Sequence, residues 1–300
     1  MTLGIDIGGT NVKLGVVDRD LRVVKKLTVK TEAHLGIDAV ISNILAGARA
    51  LAGEFPIDGI GLGSPGEIDF ERGLLVSSAN LPYNNTPIVE ILSDAFDVPV
   101  RIGNDATCAV IGEAYAGYGR QYKNFIMLTL GTGIGGGIVI DGKPYTGKHG
   151  AAGELGHVTV KTDGELCRCG LRGCFESYAS VSALIRMTES AVSSNPDSLL
   201  AREVKENGLD GRTAFTAAKH GCSIAEAVID EYVKNVATGI KNYQRIFDPE
   251  AIILAGAITA EGDRLLSPLV AECDIPCKVL ISALGADTGI IGAAALISAK

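Results

Sequence analysis

Three of the chain's seven cysteines stand close together, downstream of a histidine. The run Cys167-Arg-Cys169-Gly-Leu-Arg-Gly-Cys174 supplies three thiols, and His157 precedes them. Three cysteines and one histidine form a closed, tetrahedral structural zinc site, and glycines between the ligands give the thiolates room to converge. A redox or disulfide site is the alternative, but Cys-x-Cys is a poor geometry for a bridge between its own members. The spacing therefore favours a structural zinc ion.

Two glycine-rich turns, each with a threonine, stand between apolar segments: Asp6-Ile-Gly-Gly-Thr-Asn11 and Gly131-Thr-Gly-Ile-Gly-Gly-Gly137. Both flanks of each turn have a strand pattern, which disfavours Rossmann and P-loop sites, where the glycines lie between a strand and a helix. Backbone N–H groups and a hydroxyl in such a turn can point at a phosphate. Asp6 at the strand end would hold a carboxylate near the metal ion that accompanies the phosphate. One turn alone is most simply an ordinary tight turn. Two facing hairpins, however, can grip one polyphosphate from either side.

The pair Asn104-Asp105 follows an apolar strand and begins a predicted helix. Either residue type is a common N-cap, because its side chain accepts hydrogen bonds from the free N–H groups of the first turn. The functional alternative makes Asp105 a general base that takes the proton from a sugar hydroxyl as it attacks phosphorus, with Asn104 orienting the sugar. Phosphoryl transfer depends mainly on positioning and charge neutralisation, so an ordinary carboxylate suffices.

The segments that must position these motifs alternate between strand and helix patterns, as in an α/β protein. The N-terminal part predicts the order β-β-β-α-β. A second hairpin, with its turn over 131–136, resembles the first and indicates a weak internal repeat. Predicted strands cover 3–7, 12–17, 21–29, 57–62, 99–102, 125–130, 137–140, 251–255 and 278–281, and predicted helices cover 37–52, 88–96, 224–247, 265–273 and 290–298, with a further helix starting near 104.

Composition narrows the class of protein. With 300 residues and 47% apolar content, the chain has material for a buried core and for about two domains. The net charge of −8 and the scattered basic residues lack the footprint of a polyanion-binding surface, so we expect no nucleic-acid partner. The longest apolar stretches fall short of the ~18 to 20 residues of a membrane span, so we expect no membrane contact. The few cysteines and the lack of an export leader predict a cytoplasmic location.

Taken together, the motifs resemble the ROK family of sugar kinases over nearly the whole chain. The resemblance rests on the motifs above and on Gly63-Ser-Pro-Gly66, Gly153-Glu-Leu-Gly-His157 and the Glu176 that ends the cysteine motif. It implies a two-lobed α/β fold of the actin-like (ribonuclease H-like) ATPase class, ATP as co-substrate with Mg²⁺, a structural Zn²⁺ and a homodimer. It also implies an N-terminal lobe over 1–118, closed by a C-terminal helix at about 289–300, and a C-terminal lobe over 119–288 that carries the zinc loop.

The resemblance assigns roles residue by residue. Asp105 matches the catalytic base, and His157 would serve twice, with one ring nitrogen on zinc and the other near a sugar hydroxyl. The implied sugar ligands are Gly66, Asn80, Asn104, Asp105, Glu154, His157 and Glu176. The implied ATP ligands are Asp6, Gly8, Gly9, Thr10, Asn11, Lys13, Thr132, Gly133, Gly135, Gly136, Gly137 and Gly256. The implied metal ligands are His157, Cys167, Cys169 and Cys174.

The activity implied is phosphorylation of a hexose at its 6-hydroxyl, with glucose as the first choice of substrate. An N-acetylmannosamine or N-acetylglucosamine kinase shares the same motifs and is the alternative. The alternative from another class is a non-catalytic sugar sensor or a ROK-type transcriptional regulator. Because Asp6 stands so near the start, we expect no helix-turn-helix segment, and Asp105 favours catalysis. The chain departs from the family pattern at two positions that bear on the identity of the sugar. It has Thr107 in place of a usual Asn and Tyr83 in place of a frequent Trp.

The zinc loop carries His157 and Glu176, whereas the glycine-threonine turns lie elsewhere in the sequence. We therefore expect loss of zinc to weaken sugar binding more than ATP binding.

Overall fold

The computed structural model describes residues 1–78, 80–148 and 152–298. They form two compact units, of which unit 1 comprises Met1–Gln121, Gly142–Pro144 and the segment from Ala283 onward, and unit 2 comprises Tyr122–Asp141 and Tyr145–Ser282. The strands are β1 Thr2–Ile7, β2 Asn11–Val17, β3 Val23–Lys30, β4 Gly59–Ser64, β5 Glu67–Asp69, β6 Leu74–Ser77, β7 Val100–Asn104, β8 Phe125–Leu130, β9 Ile134–Ile140, β10 Lys143–Tyr145, β11 Ala251–Ala255 and β12 Lys278–Ile281. The helices are α1 Ile37–Glu54, α2 Ile88–Phe96, α3 Asp105–Ala116, α4 Glu176–Ala179, α5 Val181–Ser194, α6 Leu199–Asn207, α7 Thr213–Lys219, α8 Ser223–Phe247, α9 Asp263–Cys273 and α10 Thr288–Ser298.

The core of unit 1 is a five-stranded sheet of order β3-β2-β1-β4-β7. Strands β1, β2 and β3 form an antiparallel meander, and β4 and β7 run parallel to β1. Helix α1 buries one face against this sheet, because its apolar residues recur every three or four positions at Val40, Ile44, Ala48 and Leu51. The predicted order β-β-β-α-β is confirmed.

Helix α10 closes the core of unit 1 by packing unusually near to β4 and α3. A Cβ atom at Gly61 would lie 1.7 Å from the Ala293 carbonyl oxygen, and one at Gly292 would lie 1.6 Å from the Cys108 carbonyl oxygen. No side chain fits in either place, so glycine at both positions lets the backbones touch. The predicted final helix is confirmed, with its start two residues earlier than expected.

The core of unit 2 is a second sheet, in which its strands follow in the order β9-β8-β11-β12, covered by α8. Helix α8 buries Tyr232 and Tyr243, and the Tyr243 ring meets the edge of Phe175 at a centroid distance of 5.9 Å. The Tyr243 hydroxyl donates to the carbonyl oxygen of Leu155, which ties the segment before His157 to the core. Helix α8 covers Ser223–Phe247, so the helix predicted over 224–247 is confirmed to within one residue.

The two sheets share one topology, in which an antiparallel hairpin is extended by parallel strands. This confirms the internal repeat. Three strands of the first sheet differ from their predicted bounds by two residues at one or both ends. Strand β3 begins at Val23, because the Asp18 side chain accepts N–H groups from Asp20 and Arg22 and so closes a turn ahead of the strand. Pairing with β1 moves β4 to Gly59–Ser64, and pairing with β4 extends β7 to Asn104.

The second glycine turn is shorter than predicted. It ends at Gly133, and Gly135, Gly136 and Gly137 lie within β9, paired with Thr129, Leu128 and Met127. The sequence interpretation that placed the turn over 131–136 is therefore wrong. Gly136 is packed too tightly for a side chain, since a Cβ there would lie 2.7 Å from the Met127 carbonyl oxygen. Within the part of the chain that the structure describes, no helix is both long and apolar enough to span a bilayer.

Candidate functional site

The first turn links β1 to β2 and presents exposed backbone next to two opposite charges. The Gly8 N–H donates to the Asn11 carbonyl oxygen at 3.0 Å, and Gly9 and Thr10 are exposed. The Lys13 ammonium lies 3.8 Å from the Asp6 carboxylate and 3.5 Å from the Ala286 carbonyl oxygen. Burial raises the pKa of Asp6, and the Lys13 charge opposes that shift. The turn can therefore offer N–H donors to an anion beside an ammonium group.

The second turn, at the end of β8, is closed by a hydrogen bond that spans one residue fewer. The Gly131 N–H donates to the Gly133 carbonyl oxygen at 3.0 Å, and Thr132 is exposed. The loop after β11 lies beside this turn, because a Cβ at Gly256 would stand 2.1 Å from the Leu130 carbonyl oxygen. Gly256 also has a φ of +104°, a backbone conformation that a side chain disfavours. Unit 2 thus brings Thr132, Gly133 and Gly256 to one edge of its sheet.

The Asn104-Asp105 pair stands at the carboxyl end of β7 and starts α3. The Asn104 side chain accepts the Ala106 and Thr107 N–H groups at 3.0 and 3.3 Å, so the predicted cap is confirmed. Asp105 accepts the Ala106 N–H at 2.8 Å. Burial raises the pKa of Asp105 in spite of these hydrogen bonds, and the Asp105 charge in turn raises the pKa of Asp6. The parallel strands β1 and β7 therefore bring two carboxylates to the same edge of the sheet in unit 1.

A buried hydrogen bond joins the loop after β6 to the end of β4. The Tyr83 hydroxyl and Ser64 Oγ lie 2.8 Å apart, and Ser64 is the strand partner of Asn104. Burial raises the pKa of Tyr83 to about 12. Tyr83 stands at one of the two departures from the family pattern, and its loop also carries the exposed Asn80. The hydroxyl that tyrosine adds at this position is thus used to hold the loop.

The four predicted metal ligands come together in unit 2. Their ligand atoms all lie within 4.8 Å of one another, with 3.6 Å between Cys167 Sγ and His157 Nδ1 and 3.6 Å between Cys169 Sγ and Cys174 Sγ. Zn–S bonds of ~2.3 Å in a tetrahedron separate sulfur atoms by roughly 3.8 Å, so the donor set and its spacing fit zinc. An ion bound there would have four protein ligands and would leave no position for water.

The two ring nitrogens of His157 face different groups. Nδ1 points to Cys167, whereas Nε2 lies 3.9 Å from the Glu154 carboxylate. Glu154 is 72% exposed, so its carboxylate is open to a ligand from solvent. This arrangement lets one imidazole bind a metal through Nδ1 and orient a polar ligand through Nε2.

Glu176 connects the zinc loop to the second glycine turn. Its Oε2 accepts the Ile134 N–H at 2.8 Å, and its Oε1 lies 3.7 Å from Cys167 Sγ. Distance in sequence concealed this contact, because β9 and α4 meet only in the folded unit. The expectation that loss of zinc weakens sugar binding more than ATP binding rested on the separation of loop and turns in the sequence. Glu176 nevertheless joins the loop to the second turn, and the expectation stays a prediction.

Sequence reasoning gave no role to two polar residues at these sites, Thr31 and Ser64, the second of which lies within the Gly63–Gly66 motif. Both are completely buried, and each bonds to a segment that carries predicted site residues. The available signal was position, since Ser64 ends a strand and Thr31 follows one. Position alone does not tell a serine or threonine that holds a loop from one that faces solvent.

Comparison with known proteins places the chain in a family. The model of the ROK family matches residues 2–300. The glucokinase of Thermotoga maritima is 35% identical over 99% of this chain and 97% of that protein. The crystal structure of a ROK family glucokinase from Streptomyces griseus, in complex with glucose and AMPPNP, has a TM-score of 0.86 and 31% identity over 98% of both chains. The xylose repressor of Caldicellulosiruptor bescii is 32% identical over 70% of this chain and 53% of that protein.

These similarities agree with the sequence motifs and with the repeated sheet topology. The expected α/β fold of the two-lobed, actin-like ATPase class is confirmed. The chain belongs to the ROK family.

Proposed function

We propose that this protein is an ATP-dependent glucokinase, which transfers the γ-phosphoryl group of ATP to the 6-hydroxyl of glucose. The observation that carries the proposal is the match, over 98% of both chains, to the Streptomyces griseus glucokinase in complex with glucose and AMPPNP. The Thermotoga maritima glucokinase, similar over nearly its full length, supports the same activity.

Asp105 is the proposed general base. As the glucose 6-oxygen attacks the γ-phosphorus, its proton passes to the Asp105 carboxylate, the bond to the β-γ bridging oxygen breaks, and ADP leaves. Burial raises the pKa of Asp105, which brings the base nearer to the working pH and improves proton transfer. The proposed sugar ligands are Gly66, Asn80, Asn104, Glu154, His157 and Glu176.

The two glycine turns are the proposed phosphate sites. The N–H groups of the exposed residues Gly9 and Thr132 and the Lys13 ammonium would contact phosphate oxygens. Gly256 would let the nucleotide approach the backbone. Further proposed ATP contacts are Gly8, Thr10, Asn11 and Gly133. Asp6, partly exposed beside the first turn, would hold Mg²⁺, which neutralises phosphate charge when bound. We give Gly135, Gly136 and Gly137 no direct phosphate contact, since all three are paired within β9.

The proposed zinc ion shapes the loop and takes no part in the chemistry. His157, Cys167, Cys169 and Cys174 would hold it, and a site with four protein ligands leaves no open position for a substrate. A homodimer follows from the family resemblance, and sedimentation equilibrium tests it.

A panel of sugars with coupled detection of ADP tests the proposed function. The panel comprises glucose, mannose, N-acetylmannosamine and N-acetylglucosamine, each with ATP and Mg²⁺. We expect glucose to give the highest kcat/KM and glucose 6-phosphate as product. A higher value for an N-acetylhexosamine would reassign the substrate, and sugar binding without ADP formation would identify a regulator or sensor, as the similarity to the xylose repressor allows.

A further inference from the structure

Thr31, the residue after β3, is bonded to the first glycine turn at two points. Its hydroxyl donates to the Gly8 carbonyl oxygen at 2.6 Å, and its N–H donates to the Thr10 carbonyl oxygen at 3.0 Å. Thr31 is completely buried, so water does not compete for either bond. One residue therefore fixes both sides of the turn.

The second turn is tied at the corresponding carbonyl by different means. Gly131 follows β8 as Gly8 follows β1, and the Gly131 carbonyl oxygen accepts the Val181 N–H at 2.9 Å. The far side of this turn is held through the Ile134 N–H, which donates to Glu176. The carbonyl oxygen of the first turn residue, Gly8 or Gly131, is thus hydrogen-bonded in both halves of the repeat. The donors differ, since one is a side-chain hydroxyl and the other a backbone N–H from an unrelated segment.

Anchoring this carbonyl determines where the next N–H points. A trans peptide is planar, and its C=O and N–H bonds point in opposite directions. With the Gly8 carbonyl turned toward Thr31, the Gly9 N–H must point away from Thr31. Gly9 is exposed, and among the residues that the structure describes its N–H has no acceptor. The same holds for the Thr132 N–H in the second turn.

We propose that Thr31 is a positioning residue for the nucleotide: its hydroxyl holds the Gly8–Gly9 peptide so that the Gly9 N–H faces a phosphate oxygen of ATP. The inference rests on the proposed kinase function and deepens it. A donor that is oriented before binding loses little conformational freedom when the phosphate arrives. Removing the anchor therefore weakens nucleotide binding and leaves sugar binding nearly unchanged.

The test compares Thr31→Val with Thr31→Ser. Valine keeps the shape and the backbone bond to Thr10 but removes the hydroxyl, whereas serine keeps the hydroxyl. Calorimetric titrations use AMPPNP with Mg²⁺ in the absence of sugar, and glucose in the absence of nucleotide. We expect Thr31→Val to weaken AMPPNP binding about 3- to 10-fold, the range of one neutral hydrogen bond, and to change glucose binding less than about twofold. Thr31→Ser should keep both affinities within about twofold of the wild-type protein.

Three outcomes would overturn the inference. The first is unchanged AMPPNP affinity in Thr31→Val, and the second is an equal loss of nucleotide and glucose affinity, which indicates general loosening. The third concerns hydrogen exchange in the wild-type protein, which needs no variant to fold. AMPPNP should slow exchange of the Gly9 amide, and a rate that stays unchanged excludes the proposed contact. If the wild-type protein itself fails to bind AMPPNP, the proposed function falls and this inference with it.

Discussion

Asp105 shows how one residue can satisfy a structural and a chemical requirement together. It begins α3, where its carboxylate accepts the Ala106 N–H, and Asn104 caps the same turn. The cap holds the carboxylate in place, while burial raises its pKa. A sequence motif that is explained by helix capping is therefore also suited to act as a base.

The variant Asp105→Asn separates these two roles. The amide oxygen can still accept the Ala106 N–H, but it cannot take a proton from the sugar. We expect turnover to fall by ~10² or more, because general-base catalysis supplies ~10²- to 10⁴-fold, with glucose and AMPPNP affinities nearly unchanged. Steady-state kinetics and separate titrations measure this. Turnover close to that of the wild-type protein would leave Asp105 as a helix cap only.

The charge of Asp105 also has a predictable effect on stability. A carboxyl whose pKa is raised in the folded state binds its proton more tightly there than in the unfolded chain. The contribution of Asp105 to the free energy of unfolding is therefore largest below its ordinary pKa of 3.8 and is lost as pH rises through the raised pKa. We expect ligand-free Asp105→Asn to be more stable than the wild-type protein at pH 7, and the advantage to shrink near pH 4. Urea unfolding at both pH values tests this, and an advantage independent of pH would show that the charge is not its cause.

At the scale of elements, the zinc loop and the second glycine turn form one connected region. Glu176 bonds to the first residue of β9 and lies beside Cys167, and Val181 at the start of α5 bonds to Gly131. A change in the loop must therefore reach the turn through these bonds.

The variant Cys169→Ser tests this connection. We expect about one zinc per chain in the wild-type protein and its loss in the variant, with both glucose and AMPPNP bound more weakly, because Glu176 moves with the loop. Elemental analysis and separate titrations supply the readouts. Cys277→Ser, a change at a half-buried cysteine outside the cluster, is the matched control and should keep its zinc. Zinc retained in Cys169→Ser would contradict the ligand assignment, and a loss of glucose affinity alone would contradict the connection to the turn.

At the scale of the whole molecule, the repeated sheets give each unit a place for a glycine turn, and small residues let helices pack directly on those sheets. In unit 1 this packing is closest where α10 meets β4 and α3. Helix α10 thus belongs to the core of unit 1, and the sheet of that core includes β1, which leads into the first turn.

Gly292→Ala tests how tightly α10 is held. Its methyl group would lie 1.6 Å from the Cys108 carbonyl oxygen, so the helices must separate. We expect a loss of about 1 to 3 kcal/mol in the free energy of unfolding, measured with urea, despite the better helix propensity of alanine. Gly53→Ala is the control, because that helical glycine has nothing within 4 Å of the added atom, and it should be neutral or stabilising. Equal effects of the two substitutions would contradict the packing described for α10.

Local patterns in the sequence were enough to predict many of the helices and strands and the metal ligands of this protein. Apolar periodicity predicted α8, because burial of one helix face leaves a period of 3.6 in the chain. Continuous apolar runs predicted β8 and β11, because both faces of these strands are buried. The Cys₃His cluster was predictable, because its ligands lie close along the chain and few other roles suit them. The family resemblance followed from such short motifs.

Contacts between segments that are distant in sequence could be identified only from the folded chain. Pairing with Thr129 and Leu128 placed Gly135 and Gly136 in a strand, where local glycine content had predicted a turn. The bonds of Glu176 to Ile134, of Tyr83 to Ser64 and of Thr31 to Gly8 arise because the fold brings separate elements to one sheet edge. A side-chain hydroxyl or carboxylate can bond to any nearby N–H or carbonyl group, so its partner is fixed by the packing of the elements and leaves no pattern in the sequence.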